Sequence, residues 1–226
     1  MKHASFRQLR AWSIITILLI AGTSIYTWRL VPPDVAVLYR IDAAGNPISY
    51  HSKFMLVVVM PILLAITIGL QAISTKIEPR RFNMQASKKA IGRNWATLLL
   101  FSIFAQIIVL LMALEVHFDL VRWLGFAIGL VVAVLGNHMG KMRSNWLFGI
   151  PTPWTLESDH AWDKTHRIGG KLLTLWGLGC IILFAFYALP PLTFVFAQLI
   201  SILAIFLFLI AYSYFVWKQD TTYTAS

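Results

Sequence analysis

Asp159, Asp163 and His166 fall at i, i+4 and i+7, which sets two carboxylates and an imidazole on one face of a helix. Such a set can hold a metal ion, or a carboxylate can orient the imidazole. His138 and His160 lie nearby in sequence. The same residues can instead make surface ion pairs, such as Asp163 with Arg167 at i, i+4. Two carboxylates and one histidine are a loose set for zinc. They stand as weak candidates, and the expectation is no bound metal, no cofactor and no catalytic residue. HExxH, CxxC, GxSxG, a glycine-rich phosphate loop and internal repeats are all absent from the sequence.

A helix over about 156–168 must carry this face. Pro151 and Pro153 enforce an extended approach to it. Thr155 is a suitable N-cap, with Glu157 and Asp159 in the next turn, where negative charge suits the helix dipole. The expected helix is amphipathic: Leu156, Trp162 and Trp154 dip into a membrane surface while the charges face water.

A membrane is expected from composition. The chain has 226 residues, 58% hydrophobic and 12% charged, against ~25% charged in soluble domains; its mean hydropathy is +0.73. Apolar stretches at about 11–30, 54–73, 95–116, 120–139, 172–189 and 192–217 are each long enough to cross a hydrocarbon core of ~30 Å. They do not alternate polar with apolar, so helices rather than barrel strands are expected. The first stretch runs on through Ile25, Tyr26 and Trp28, longer than a signal-peptide core, and is read as a retained helix.

The net charge of +10 is a matter of topology. Of the 19 Lys and Arg, all but Arg29, Arg40, Lys53 and Arg122 fall on one side of the six spans. That side is expected to be cytoplasmic, with both termini on it, and no nucleic acid is needed to explain the charge. Trp12, Trp28, Trp95, Trp123, Trp154 and Trp217 sit near span ends, as an aromatic belt would place them.

The spans hold no Asp, Glu, Lys or Arg at mid-depth, which argues against ion-coupled transport. Gln106 and Gln198 are expected to bridge helices. Glu115 and Arg122 flank a short turn and could pair, or Arg122 could snorkel. Gly125 with Gly129, and Gly136 with Gly140, form GxxxG motifs that favour close packing, within the bundle or between copies. Pro61 is expected to kink the second span. The lone Cys180 rules out an intrachain disulfide.

Between the first two spans, Val35, Val37 and Tyr39 suggest a strand, Ala44-Gly45-Asn46-Pro47 a turn, and Ile48–Tyr50 a second strand. A small hairpin above the bilayer is expected, with a binding role or as a connector.

The segment after the fourth span reads Gly136-Asn137, Lys141, Asn145, Gly149-Ile150-Pro151-Thr152-Pro153-Trp154-Thr155-Leu156, Trp162 and Thr165-His166-Arg167. It resembles the signature of the SdpI family of bacterial membrane proteins, with Pro151 standing where the family has Arg. The hairpin loop resembles the small domain of unknown function common in that family through Pro33, Gly45, Pro47 and Lys53. Leu38 stands there where His is usual, and Ile48 where Asp is.

The resemblance implies an all-α integral membrane protein of the bacterial cytoplasmic membrane, multipass, with six transmembrane helices and a cytoplasmic amphipathic helix before the fifth. Two units are expected: 1–94, a two-helix unit with extracytoplasmic loop 31–53, and 95–226, a four-helix unit with cytoplasmic signature loop 136–171. The implied activity is non-catalytic protection against a membrane-active peptide, or sensing at the envelope. The partners would be the bilayer, a peptide toxin outside and a cytoplasmic regulator inside, with a homo-oligomer as a further option. Asn137, Lys141, Asn145, Gly149, Thr152, Pro153, Trp154, Thr155, Trp162, Thr165, His166 and Arg167 are the expected partner-binding or structural residues. A small permease and a membrane enzyme using the Asp159–His166 face are the alternative readings.

Overall fold

The computed structural model describes residues 4–31, 37–41, 47–51, 53–114, 116, 119–186 and 191–224. In chain order the elements are α1 (Ala4–Leu30), β1 (Val37–Ile41), β2 (Pro47–His51), α2 (Lys53–Ile77), α3 (Arg81–Ala86), α4 (Lys88–Ala113), α5 (Leu120–Met139), α6 (Pro153–Glu157), α7 (Asp159–Phe186) and α8 (Pro191–Thr224). Among the described residues, six helices are long and apolar enough to cross a membrane. In hydrocarbon each backbone N–H and C=O must find its partner inside the segment, and a helix does this for any apolar sequence. The outer faces are accordingly apolar: Leu18, Leu175 and Ile200 are among the most exposed side chains.

The strands β1 and β2 pair antiparallel, Val37 opposite His51 and Leu38 opposite Tyr50, with a register irregularity before Ile41 meets Pro47. The turn with Gly45, and also Pro33, lie outside the described residues. Lys53 begins α2, and α2 continues through Pro61.

The glycines of α5 are answered within the bundle, by α7. A Cβ on Gly129 would come within 2.8 Å of the Gly177 carbonyl and 2.9 Å of Cys180 Cβ. On Gly136 it would come within 2.7 Å of Thr174 N, and on Gly170 within 2.8 Å of the Gly136 carbonyl. Backbones thus touch along most of the seam, which only small residues permit. Thr174 Oγ1 reinforces it, donating to Gly170 O (2.7 Å) and to Ala133 O of the facing helix (3.3 Å). Between α7 and α8, Cys180 Sγ donates to Gln198 Oε1 (3.0 Å), so Gln198 does bridge helices. Gln106 is buried, with no hydrogen-bond partner for its amide among the described residues.

The expected partner Glu115 lies outside the described residues; Arg122 itself is anchored to α7. Its Nε donates to Phe184 O (2.9 Å) and a terminal nitrogen donates to Ala185 O. Those carbonyls belong to the last turn of α7, where the helix leaves acceptors unpaired and its dipole favours a cation.

Two expectations are corrected. The helix expected over about 156–168 is not a separate element: after the five-residue α6, α7 runs unbroken from Asp159 to Phe186. At ~1.5 Å per residue its 28 residues reach about 42 Å, well beyond a ~30 Å core. Its polar first turns are therefore the extension of the span itself. Nor is Trp95 a belt residue. It is buried, edge-on to Phe148 with ring centroids 5.7 Å apart. Trp12, Trp28 and Trp123 are exposed, as a belt requires.

Candidate functional site

The extended start of α7 is wrapped by the loop that follows α5, and the wrapping is done by polar groups. Asn145, fully buried, organises the first turn. Its Oδ1 accepts from Leu147 N (3.0 Å) and Phe148 N (2.7 Å), and its Nδ2 donates to Arg143 O (2.8 Å). This is the asparagine side chain substituting for backbone partners in a tight loop.

Gly149 follows with φ +104°, a backbone conformation that a side chain resists. A Cβ there would also overlap Nε2 of His166. That imidazole is completely buried. Its Nε2 accepts from Ile150 N (3.0 Å) and its Nδ1 donates to Trp162 O (2.9 Å). A carbonyl can only accept and a backbone N–H can only donate, so both ring nitrogens are assigned and the ring is the neutral Nδ1–H tautomer. Trp162 stacks on the ring, with centroids 3.7 Å apart and planes 15° apart, and its Nε1 donates to Met142 O (2.7 Å).

The chain then turns into α6 through a reciprocal cap. Thr152 accepts from Thr155 N (3.2 Å) while Thr155 Oγ1 accepts from Thr152 N (2.9 Å), with Pro153 in the first turn. Thr155 Oγ1 also donates to Ile150 O (2.8 Å), and Thr152 Oγ1 meets Ser213 Oγ of α8 at 3.1 Å. The N-cap is thus Thr152, not Thr155. Trp154 packs edge-on to Tyr214, and Ser158 Oγ donates to Asp220 (2.5 Å), tying α6 and the start of α7 to α8.

A second segment, between α2 and α4, closes the loop from the other side. Glu78 is 1% exposed; its two oxygens accept from Arg80 N (2.9 Å) and Trp146 N (3.0 Å). The Arg80 guanidinium donates to Ser144 Oγ and to Leu156 O (2.5 Å). Asn83 Nδ2 donates to Ser144 O (2.8 Å) and Ser87 Oγ accepts from Arg143 N (2.7 Å). Deeper in, His138 Nδ1 and Asn94 Oδ1 lie 3.0 Å apart.

Of the sequence-derived set, Asn145, Gly149, Thr152, Thr155, Trp162 and His166 come together in this one network. Thr165 is buried with its hydroxyl unpartnered among the described residues. Asn137, Lys141, Pro153 and Arg167 are exposed, and Trp154 is half-buried.

Trp162 and Leu156 are interior residues, correcting their assignment to the membrane surface. Asp159 and Asp163 are exposed while His166 is buried with both nitrogens engaged, so the three do not converge on a common ligand. No group of three metal-ligating side chains occurs among the described residues.

Sequence reasoning missed Glu78, Arg80, Asn83, Ser87 and Ser144. The available signal was Glu78, the one acid in a run otherwise rich in Lys and Arg.

Among the described residues, six apolar helices with a hydrogen-bonded polar loop packed at one end of the bundle define a multipass helical membrane protein. Residues 141–217 match the model of the SdpI/YfhL protein family. Over 168 residues the chain is 24% identical to the immunity protein SdpI of Bacillus subtilis (strain 168), covering 73% of this chain and 76% of that protein. Both comparisons thus find the resemblance that the signature residues carry. No solved structure matches the chain significantly.

Proposed function

We propose that this chain is a non-catalytic immunity or envelope-sensing protein of the cytoplasmic membrane, similar in role to the immunity protein SdpI. The observation that carries the reading is how the signature residues are used. His166, Thr155 and Asn145 direct their hydrogen bonds to backbone groups of the loop, and Glu78, from the segment between α2 and α3, clasps the same loop at Trp146. Groups held this way build a rigid platform, and His166, with both ring nitrogens engaged, has no free proton or lone pair to offer a substrate.

In this reading both termini and the signature loop face the cytoplasm, by the distribution of Lys and Arg. The β1–β2 hairpin then stands on the outer side, where a membrane-active peptide arrives. The exposed signature residues Asn137, Lys141 and Arg167 are left to face a cytoplasmic regulator.

The test is survival of a toxin-sensitive bacterial strain lacking its own immunity gene, challenged with an SDP-type peptide. Wild type should protect. A variant with Gly149→Ala should lose protection in proportion to its loss of folded protein, whereas Arg167→Ala, at an exposed signature position, should stay folded and report on partner docking. Absence of protection by well-expressed wild type would remove this toxin class as the ligand.

A further inference from the structure

The end of the bundle that carries the signature loop has a second surface, formed by α3, the start of α4 and residues 141–148. Glu78, Arg80, Asn83 and Ser87 stitch these two segments into one body through Trp146, Ser144 and Arg143. From that body two large apolar side chains project outward: Phe82 is 83% exposed and Trp146 53%. The same two segments carry Arg81, Lys89, Arg93, Lys141 and Arg143, all exposed, and Lys88, half-exposed.

The only carboxylate in residues 76–93 and 141–148 is Glu78, which is buried and spent on two backbone N–H groups. The acids at this end of the bundle belong to α6, α7 and α8.

Two features mark this surface as built for an external anion. The first is the placing of Lys88, Lys89 and Arg93 in the opening turns of α4, at the positive end of the helix dipole, with no side-chain cap. Cations are disfavoured there unless anions are supplied from outside. The second is the pairing of a bare phenyl and an indole with those cations beside the ends of membrane spans, the composition of an interfacial anchor.

We propose that this surface binds the anionic headgroup layer of the surrounding leaflet, with Phe82 and Trp146 inserted at the acyl boundary and the cations of α4 on lipid phosphates. The occupant is the bilayer because the surface is continuous with α2, α4 and α5, which already stand in it. The proposal is independent of the immunity reading.

The test uses the full chain reconstituted in phosphatidylcholine vesicles with or without phosphatidylglycerol. Nitroxide labels are placed at Phe82→Cys and Trp146→Cys; Cys180, 2% exposed, leaves wild type as the unlabelled control. Both labels should relax with oxygen more than with a water-soluble nickel chelate, more strongly when phosphatidylglycerol is present. Retention of phosphatidylglycerol over phosphatidylcholine on the purified protein should fall in a Lys88→Gln, Lys89→Gln, Arg93→Gln variant, by about fivefold if one of these cations touches lipid phosphate and by about a hundredfold if all three do, since each cation near an anionic surface contributes on the order of fivefold. These three side chains are outside the Glu78–Ser144 network, so folding is preserved and checked by unfolding temperature. Labels that remain in water in both vesicles, as a docking face for an acidic soluble protein would give, overturn the proposal. So does an unchanged lipid ratio in the triple variant.

Discussion

Replacing Gly149 with alanine tests the central geometry with a single methyl group. Two independent costs arise. The backbone at φ +104° is one that L side chains rarely adopt, and holding alanine there costs on the order of 1–2 kcal/mol. The new methyl would overlap His166 Nε2, so the imidazole must move and give up Ile150 N. Leaving a buried N–H without its acceptor costs about 1–3 kcal/mol. The expected loss is therefore about 2–5 kcal/mol, enough to lower the unfolding temperature in detergent by many degrees.

Gly179→Ala is the matched control, because a Cβ there meets nothing within 4 Å; it should leave stability unchanged or slightly raised, since alanine favours a helix over glycine. A double-mutant cycle separates the two costs. In a His166→Ala background the clash is gone, so Gly149→Ala should retain only the backbone part. Equal unfolding temperatures for Gly149→Ala and Gly179→Ala would refute the reasoning. A fully additive cycle would show that Gly149 and His166 are not in contact.

Two further changes probe the remaining joints. Glu78→Gln keeps the shape of the side chain but turns one acceptor into a donor facing a backbone N–H, at either Arg80 or Trp146; about 1–3 kcal/mol of stability should be lost, read by thermal unfolding, and a neutral outcome would mean that the carboxylate is not the clasp of the loop. Gly177→Ala places a methyl against the Gly129 carbonyl and within 2.6 Å of Ala133 N, so α5 and α7 must part at a cost of about 1–3 kcal/mol. The change should lower stability without altering oligomeric state; a shift in oligomer size at constant stability would assign the seam to contacts between copies.

Much of the molecule was legible in the chain because its signals are local. Twenty or so apolar residues in a row specify a spanning helix whatever surrounds them, and six such runs were countable without a structure. The GxxxG spacing on α5 announced a close helix contact, since it depends on one helix face alone. The signature residues could be marked as a group.

Their use could not be read, because it depends on which backbone atom each side chain meets. Trp162 and Leu156 have the composition of a membrane-surface face, yet α7 is one continuous rod and the loop after α5 folds over it, so that face is interior. Asp159, Asp163 and His166 share a helical spacing that suggests a ligand set. The loop turns His166 inward onto Ile150 and leaves the aspartates outside.

Glu78 shows the division most clearly. In sequence it is one acid among many bases, distant from the signature, and nothing in its neighbours says that it will close on Trp146. The membrane, the six spanning runs and the small residues of α5 are written in the chain alone, because periodicity and hydropathy act over neighbouring residues. That Asn145, Thr152, Thr155, Trp162 and His166 form a buried, hydrogen-bonded platform could be learned from the packed molecule alone. Burial and hydrogen bonding between residues far apart in the chain exist only once the helices have packed.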